Sequence, residues 1–569
     1  MNDSQLAPEV RLRIEAATEE YEMELRRELD LSKKKTHALI EKRKGSFRER
    51  LLEAELADLS RSDEEIHEEE DRVVNINLWA SLAVTASLLA VVLLAGDSVE
   101  SASQTIGQFM ARNLSWFYVL IGGGSVVFLL YLAFGRFGSV VLGDPKGRPE
   151  FTTVSWYAML LSTGIGAGLM FWGAAEPLQH YLRPPNVDPR TAEAAREAMI
   201  YSCFHWGLHI WAIFTVTAVS VAYYGFRKRK RYLMSSTLMD VSQNKTARRV
   251  FKVAADLVAT LAVIAGICTS LGMAVLQIGA GIEHVFGVNA TSSLGLISIM
   301  VAMTVAFVGS TITGLKKGIK TLALLNVGLA LLVLLFVFVT GPTRFILKLF
   351  VDTLGQYIQH LPELSLKVDP FNSSYEQWMG SWTLFYFAWV IAWAPFVGVF
   401  VARISRGRTL RELIVGSLLL PTVMVIFWFS AFGGTALHLE HIQGVEIGET
   451  ILSDVPVGLF ILFEQLPLSK IASIVSIGLL FLFLVTSADS ATFVISMMTS
   501  HGDLEPQLSR KIIWGVTISA LTISLVLGGG LSALQAATMV FAFPFALVLI
   551  LAAVSMTFRL SVQVKTRRT

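Results

Sequence analysis

Residues 164–177 read GIGAGLMFWGAAEP and lie inside an apolar segment long enough to cross a membrane. Three glycines, Gly164, Gly166 and Gly168, fall within five residues of this segment. Glycine weakens a helix because its backbone loses more freedom on folding than that of other residues. In a membrane, backbone groups that the helix leaves unpaired must face protein or a water-filled cavity. The segment therefore predicts a helix broken near mid-membrane, where a solute or an ion could bind.

The composition is that of a polytopic, all-α integral membrane protein. Hydrophobic residues make up 53% of the 569 residues, and many windows reach the roughly 20 apolar residues that a helix needs to cross a bilayer. Twelve transmembrane helices are predicted, at residues 74–96, 114–135, 152–178, 198–224, 251–283, 290–313, 320–341, 378–402, 411–437, 468–500, 511–529 and 531–558.

Basic residues alternate along the chain relative to these spans. Clusters of Lys and Arg follow spans two, four, six, eight and ten and close the chain: Arg136, Lys146, Arg148; Arg227 to Arg231; Lys316, Lys317, Lys320; Arg403, Arg406, Arg408, Arg411; Arg510, Lys511; Lys565, Arg567, Arg568. Cytoplasmic loops carry an excess of Lys and Arg, so both the N and C termini are predicted to be cytoplasmic. The loop after span three, with Arg183, Arg190 and Arg196, fits this alternation less well.

Segments outside the spans are charged or amphipathic. Residues 1–73 are rich in Glu, Lys, Arg and Leu and predict a helical cytoplasmic extension. Its basic block, 33–50, could contact anionic lipid headgroups, but a solvated helix or coiled-coil arm fits the same pattern. No cleavable signal peptide is expected, because the first apolar run is already long enough to span. Residues 343–360 predict an amphipathic helix on the outer side.

Span eight has a second irregularity, five spans after the first. Its sequence FYFAWVIAWAPFVG contains Pro395, which removes a helical hydrogen bond and clashes with the preceding turn. Two interrupted helices at matching positions favour inverted repeats with a binding site between them, although either feature alone is also a common packing device. The chain then divides into the extension 1–73, two peripheral spans 74–151, a first repeat 152–341, an outer helix and loop 342–377, a second repeat 378–558 and a short cytoplasmic tail 559–569.

Aromatic residues cluster near the same irregularities. They are Phe171 and Trp172 in span three, Trp206, Trp211 and Phe214 in span four, and Trp389 and Trp393 in span eight. An indole ring attracts a desolvated quaternary ammonium by about 2 kcal/mol and needs no hydrogen bond from it. The cluster therefore indicates a methylated ammonium solute, although Trp is also common at membrane interfaces and in packed cores.

Span ten ends in FLFLVTSADSATF and offers oxygen ligands for a small cation. The hydroxyls of Thr486 and Ser487, together with carbonyls freed by the break in span three, could hold a sodium ion. The same hydroxyls could instead bond to their own helix. Glu176 and Asp489 are acids within or near spans, which makes them candidates either for function or for capping and pairing near a helix end.

The sequence has few features of an enzyme, a metalloprotein or a disulfide-bonded protein. Cys203 and Cys268 have neither metal-site nor disulfide spacing and are expected to be small buried residues. No motif for phosphate binding, an activated nucleophile or a resident metal is present, so neither an enzyme nor a cofactor is predicted. The expected partners are a small solute and the lipid bilayer, with no nucleic acid.

These motifs together resemble the betaine, choline and carnitine transporter family. The resemblance runs from about span one to span twelve, through GLMFWGAAEP, FHWGLHIWAIF, FVGVFVARISRGRTLRELI and VTSADSATF. It implies LeuT-like inverted five-helix repeats, made of spans three to seven and eight to twelve, as in sodium-coupled amino-acid carriers. It also implies a bacterial inner membrane and a homotrimer. The charged residues before position 70 lie outside the resemblance, and the tail lacks the long basic sequence of osmosensing members.

The resemblance implies roles for individual aromatic residues. The family's aromatic cage falls on Trp206, Trp211 and Phe214, the last a position where betaine carriers usually have tyrosine. Val390 stands where a cage tryptophan is expected, and Phe387 replaces another tryptophan. Phe171, Trp389 and Trp393 fall on positions that line the solute's cytoplasmic exit route. Losing an indole and a phenol weakens the cation–π attraction, which is compatible with a solute other than glycine betaine.

The resemblance also implies one sodium site. Its ligands fall on the backbone carbonyls of Ser162 and Ile165 and on Phe483, Thr486 and Ser487, and Ile165 is expected to border the solute as well. The family's second sodium site uses two threonines of span five, where this chain has Val263 and Ile267, and only Phe396 of span eight is retained. Aliphatic side chains cannot ligate sodium, so Na⁺ is expected as a single coupling ion.

The expected function is sodium-coupled symport of a small zwitterionic or quaternary-ammonium solute, such as betaine, choline or carnitine, by alternating access. Two alternatives stay open: a sodium-independent exchanger of the carnitine type, and a membrane solute sensor or channel. The exchanger usually needs a fixed positive group in place of the ion. No Lys or Arg lies in the middle of spans three, five, eight or ten, which favours the symporter.

Overall fold

A computed structural model describes residues 18–19, 63–96, 98–144, 147–164, 166–228, 230–238, 245–313, 316–503 and 505–566, and none of these residues belongs to a named β-strand. The first nine α-helices are α1 Asp63–Ala95, α2 Ser98–Phe134, α3 Thr153–Gly164, α4 Ala167–Leu182, α5 Ala192–Trp206, α6 Leu208–Ala222, α7 Met234–Thr237, α8 Lys245–Phe286 and α9 Ser293–Thr313. The others are α10 Lys316–Thr340, α11 Thr343–Leu364, α12 Ser373–Met379, α13 Phe385–Ile404, α14 Leu410–Leu437, α15 Gly448–Ser453, α16 Gly458–Glu464, α17 Ser469–Met498 and α18 Leu508–Thr566. Most of the predicted extension 1–73 lies outside the described residues.

The helices confirm a multi-pass membrane protein. Within the described part of the chain, nine helical stretches are long and apolar enough to cross a membrane. A tenth, Leu325–Thr340, passes this test only together with α11, from which it is bent by 110°. These ten stretches become twelve if α3 and α4 together form one more span and α18 forms two. The number of twelve transmembrane helices therefore stays a prediction.

Helix α18 is too long to be one crossing. Its 59 residues would extend about 90 Å as a straight helix, twice the thickness of a bilayer. Gly529 and Gly530 have non-helical backbone angles within it. The predicted boundary between spans eleven and twelve falls at this kink.

The predicted break in span three lies at Gly166. Helix α3 ends at Gly164 and α4 begins at Ala167. Gly166 has an extended backbone, with φ −136° and ψ −177°. The placement of Ile165 and of the Ser162 side chain lies outside the description.

Span four, predicted as one continuous helix, is also interrupted. Helix α5 ends at Trp206 and α6 begins at Leu208, with Gly207 between them at φ −92° and ψ −132°. The Tyr357 hydroxyl of α11 accepts a hydrogen bond from the Leu208 backbone N–H at 3.0 Å. A Cβ at position 207 would lie 2.8 Å from that hydroxyl. Glycine therefore lets the amphipathic helix satisfy a backbone donor that the break frees.

Pro395 does not interrupt span eight, so this part of the prediction was wrong. Helix α13 runs continuously from Phe385 to Ile404 with Pro395 inside it. The irregularity of this span lies earlier, in a π-helical stretch at Gly380–Leu384 that joins α12 to α13. A proline removes one hydrogen bond, but packing on all sides can hold such a helix together. The inverted repeats stay a prediction.

The basic loops after spans two, four, eight and ten contact one another and form a basic face. Arg227, after span four, donates to the carbonyl oxygens of Val141 and Gly143, after span two. Gly407, after span eight, donates its N–H to the carbonyl of Leu142 at 2.7 Å. Arg231 reaches the loop after span ten and donates to the carbonyl of His501 at 2.8 Å. These contacts fit the alternation of charge along the sequence.

Candidate functional site

A cavity of about 580 Å³ lies where α4, α5, α6, α13 and α17 meet. Eleven of the predicted site residues line it: Gly166, Gly168, Trp206, Trp211, Phe214, Trp389, Val390, Trp393, Phe483, Thr486 and Ser487. They come from distant parts of the sequence. Helix α13 packs along α6, which places the tryptophans of span eight beside those of span four. The volume is that of a small-molecule site.

Two indole rings form a corner of this cavity. The ring centroids of Trp206 and Trp389 lie 5.7 Å apart, and the ring planes are perpendicular at 89°. The edges of both rings contact the backbone beside the helix break. A Cβ at Gly168 would lie 2.7 Å from each ring. Glycine at this position is therefore a steric requirement for the corner.

Three other residues singled out in the sequence do not add an indole ring to the cavity wall. Phe171 is 1% exposed and packs against Trp172 with ring centroids 4.9 Å apart, but it is not on the cavity wall. Phe387 faces away from the cavity, against Phe204 and His209. Val390 lines the cavity where a third indole was expected.

The cavity also has a polar wall. The Thr486 hydroxyl donates to carbonyl oxygens of its own helix, those of Leu482 and Phe483, at 3.0 and 2.9 Å. It accepts a hydrogen bond from Asn326 Nδ2 of α10 at 3.0 Å. Asp489, one turn further along α17 on the same wall, accepts from the Thr311 hydroxyl and, at 3.1 Å, from Ser310. Hydroxyl and carboxylate oxygens thus lie on this wall, and a hard cation prefers oxygen ligands of this kind.

Glu176 is fully buried two turns beyond Gly168 on α4. Its Oε2 accepts hydrogen bonds from the indole N–H of Trp206 at 2.8 Å and from the Tyr386 hydroxyl at 2.6 Å. Its Oε1 is bonded to His205 Nδ1 at 2.8 Å and to His180 Nε2 at 3.3 Å. The indole N–H and the tyrosine hydroxyl donate to this carboxyl group, and each histidine donates when its bonded ring nitrogen carries the proton. The carboxylate therefore fixes the orientation of a cavity-lining indole.

A layer of aromatic rings lies behind the cavity-lining Trp206, whose ring centroid is 5.3 Å from that of Tyr386. Trp172, Trp382 and Tyr386 lie with centroids 5.3 to 6.2 Å apart. Beyond the layer is a second cavity of about 420 Å³, lined by Trp172 and Trp382 and by Gln179 and Arg183 at the far end of α4. The first cavity, in contrast, extends to Arg403 and Lys511 of the basic face.

Sequence reasoning missed the partners that connect these residues. It identified Glu176 and Thr486, but not Tyr386, His205 or Asn326. Tyr386 and Glu176 are 210 positions apart, and Asn326 and Thr486 are 160 apart. The one available signal was the presence of polar residues in spans, because buried polar groups need partners.

The chain matches known proteins over nearly all of its membrane region. A model of the betaine/carnitine/choline family of transporters matches residues 77–565. The chain is 40% identical to the glycine betaine transporter OpuD of Bacillus subtilis over 83% of this chain and 92% of that protein. It is 41% identical to an ectoine/hydroxyectoine transporter of Virgibacillus pantothenticus, over 81% and 91% of the two chains. A glycine betaine transporter of Acinetobacter baylyi is 38% identical over 84% and 72%.

We predict that Gly168→Ala lowers solute affinity, because the added methyl group would push Trp206 and Trp389 apart at a cost of about 1–3 kcal/mol. Quenching of tryptophan fluorescence by solute in purified protein measures this. Gly166→Ala is the matched control, since a Cβ there meets no atom within 4 Å. Equal affinity of the two variants would contradict the steric role of Gly168.

Proposed function

The chain belongs to the betaine/carnitine/choline family of transporters, and from this membership we propose that it couples Na⁺ to the import of a small zwitterionic or quaternary-ammonium solute. It is a membrane transporter and not an enzyme. The observation that carries the proposal is the shared cavity, in which two perpendicular indoles and the Thr486–Ser487 pair flank a broken helix.

The cationic end of the solute would bind at the corner of Trp206 and Trp389. An ammonium in this corner is attracted by both indoles without needing a hydrogen bond from either. Val390 and Phe214 give this wall less aromatic and polar character than the family pattern. Relatives that carry glycine betaine and ectoine are similarly distant from this chain. Both solutes are compact zwitterions, so we propose this chemical class.

Sodium would bind between the break in span three and the polar wall. The ligands proposed are the backbone carbonyls of Ser162 and Ile165, the Phe483 carbonyl and the hydroxyls of Thr486 and Ser487. Thr486 donates its proton to its own helix and accepts from Asn326 with one lone pair, which leaves one lone pair of its oxygen for the ion. An ion at this position would hold the first half of span three against α17. Solute and sodium would then raise each other's affinity equally.

The two cavities support transport by alternating access. The main cavity reaches Arg403 and Lys511, which the charge distribution assigns to the cytoplasmic side. The aromatic layer of Trp172, Trp382 and Tyr386 separates it from the second cavity of about 420 Å³, which would lie on the outer side and is called the outer cavity. This arrangement corresponds to an inward-facing state, and opening the layer would expose the site to the outside. We further propose twelve spans in LeuT-like inverted repeats, a homotrimer, and a bacterial inner membrane with cytoplasmic termini.

Glu176 would strengthen cation binding through Trp206. A carboxylate that accepts the indole N–H raises the electron density of the ring, and its own charge attracts the cation through the low-dielectric interior. Glutamine at this position could keep the hydrogen bonds. Its carbonyl oxygen would accept from Trp206 and Tyr386, while its amide N–H₂ would donate to His180 and His205, since neutral histidine can accept at either nitrogen.

Uptake into proteoliposomes tests the proposed function. We expect radiolabelled betaine, choline, carnitine, ectoine or a related solute to accumulate with a sodium gradient and not with potassium. Ser487→Ala should raise the sodium concentration for half-maximal uptake about tenfold or more, because an ion ligand is lost. Ser496→Ala, a buried serine of the same helix that is not on the cavity wall, is the control. Exchange that proceeds equally well in potassium would support the carnitine-type exchanger instead.

We predict that one sodium ion accompanies each solute molecule. Val263 and Ile267 are buried and offer no side-chain oxygen at the positions of the family's second site. Reversal potentials, measured from the solute gradient that stops net flux at a set sodium gradient, give the stoichiometry directly. Two sodium ions per solute would contradict the assignment.

We predict that Glu176→Gln raises the KM for a cationic solute about tenfold, equivalent to about 1.4 kcal/mol, because it removes charge while retaining hydrogen bonds. Glu440→Gln is the matched control. Glu440 is also a buried carboxyl with hydrogen-bond partners, Arg190 and the Gly448 N–H, but it lies away from the cavity. An unchanged KM in a folded Glu176→Gln protein would show that the charge does not assist binding.

A further inference from the structure

Glu176, His180 and His205 form a compact group of metal-binding side chains. Glu176 Oε1, His180 Nε2 and His205 Nδ1 all lie within 4.8 Å of one another, and the three residues are buried. In the part of the chain that the structure describes, this is the one group of three or more His, Cys, Asp or Glu residues with such spacing. The proposed transport cycle uses Glu176 but gives no role to His180.

The donor set suits a transition metal of the zinc type. Two imidazoles and one carboxylate are a common set of protein ligands for Zn²⁺, with a water molecule in the fourth position. Bonds of about 2.0–2.1 Å in a tetrahedron place ligand atoms about 3.3 Å apart. Oε1 lies 3.3 Å from His180 Nε2 and 2.8 Å from His205 Nδ1. Small side-chain shifts would therefore replace the two hydrogen bonds by metal bonds.

The surroundings can hold the ligands in the metal-binding tautomers. His205 would bind through Nδ1 and carry its proton on Nε2, which lies 2.9 Å from the Thr383 hydroxyl, a group that can accept a hydrogen bond. Trp206 and Tyr386 hold the other carboxylate oxygen, Oε2. His180 Nδ1 is buried with no hydrogen-bond partner, so a metal bond at Nε2 would replace the hydrogen bond to Glu176 Oε1 and leave the proton on a nitrogen that makes no other bond.

The outer cavity gives a route to this group. The His180 ring lies 4.4 Å from the Trp382 ring and 5.0 Å from the Trp378 ring, measured between centroids. Both tryptophans line the outer cavity of about 420 Å³. One layer of rings therefore separates the imidazole from that cavity, and the movement that opens the outer side would expose it.

We propose that Glu176, His180 and His205 form a binding site for Zn²⁺ or a similar transition-metal ion, reached from the outer side, and that the bound ion opposes solute binding. With neutral histidines and an ionised Glu176 the group carries one negative charge, and a divalent ion would change it to one positive charge. Trp206 connects this group to the solute corner through its indole N–H. A positive charge there repels an ammonium and withdraws electron density from the ring.

Equilibrium binding to the purified full-length protein in detergent tests the site. Titration with Zn²⁺, and with Co²⁺ as a spectroscopic substitute, should show one ion per chain, with visible absorption bands typical of tetrahedral cobalt. His180→Gln and His205→Gln should each weaken binding by at least about 10- to 100-fold, since that is the range for loss of an outer-shell partner and each histidine is proposed as a direct ligand. His209→Gln is the control, because His209 is buried nearby but bonds to Ser365 instead of Glu176.

Absence of stoichiometric binding, or binding of equal strength in His180→Gln and the wild type, would overturn the site. If the histidine variants fail to fold, the cobalt spectrum of the wild type decides, since octahedral cobalt bound only by surface groups lacks the intense tetrahedral bands. The effect on the solute rests on the proposed function: external Zn²⁺ should raise the KM for uptake in the wild type and leave it unchanged in His180→Gln. Metal binding without this change would refute the coupling, while a protein without transport would leave the binding result intact.

Discussion

Backbone groups inside a membrane must find hydrogen-bond partners within the protein, and the candidate site exists because two helices leave some of theirs unpaired. The break at Gly166 lies two residues before Gly168, and the break at Gly207 directly follows Trp206. At the break beside Gly207, the backbone N–H of Leu208 donates to the Tyr357 hydroxyl of the amphipathic helix α11. At Gly166 the backbone faces the cavity. In the proposed function, sodium binds the backbone carbonyls at this break, and the solute binds beside it at the corner of Trp206 and Trp389.

The buried carboxylate of Glu176 ties these parts together. It holds an indole of span four and a tyrosine of span eight through one oxygen, and two histidines through the other. Burying a carboxylate is costly unless hydrogen-bond partners surround it, and Glu176 has four such partners. This cost makes the geometry around Trp206 well defined, because any shift of the ring would leave the carboxylate short of a partner.

The sequence was most informative where one physical rule acts over a short range. Apolar length identified a multi-pass membrane protein, and three glycines in five residues located the break in span three. It was less informative at Pro395, where tight packing keeps the helix continuous, and at Gly207, a single glycine with no local sign of a break. Hydrogen bonds between residues far apart in the chain could not be predicted from the sequence. Nothing near Glu176 in the sequence points to Tyr386, and nothing near Thr486 points to Asn326. Phe171 shows the limit of analogy, because it packs behind the cavity wall and not on it.

A structure of the protein in lipid nanodiscs, with sodium and a transported solute bound, tests the central claim most directly. The claim requires the cationic group within about 6 Å of the ring centroids of both Trp206 and Trp389, beside an interrupted backbone at residues 164–167. Solute bound outside the cavity, or a continuous helix through residues 162–168, would contradict it.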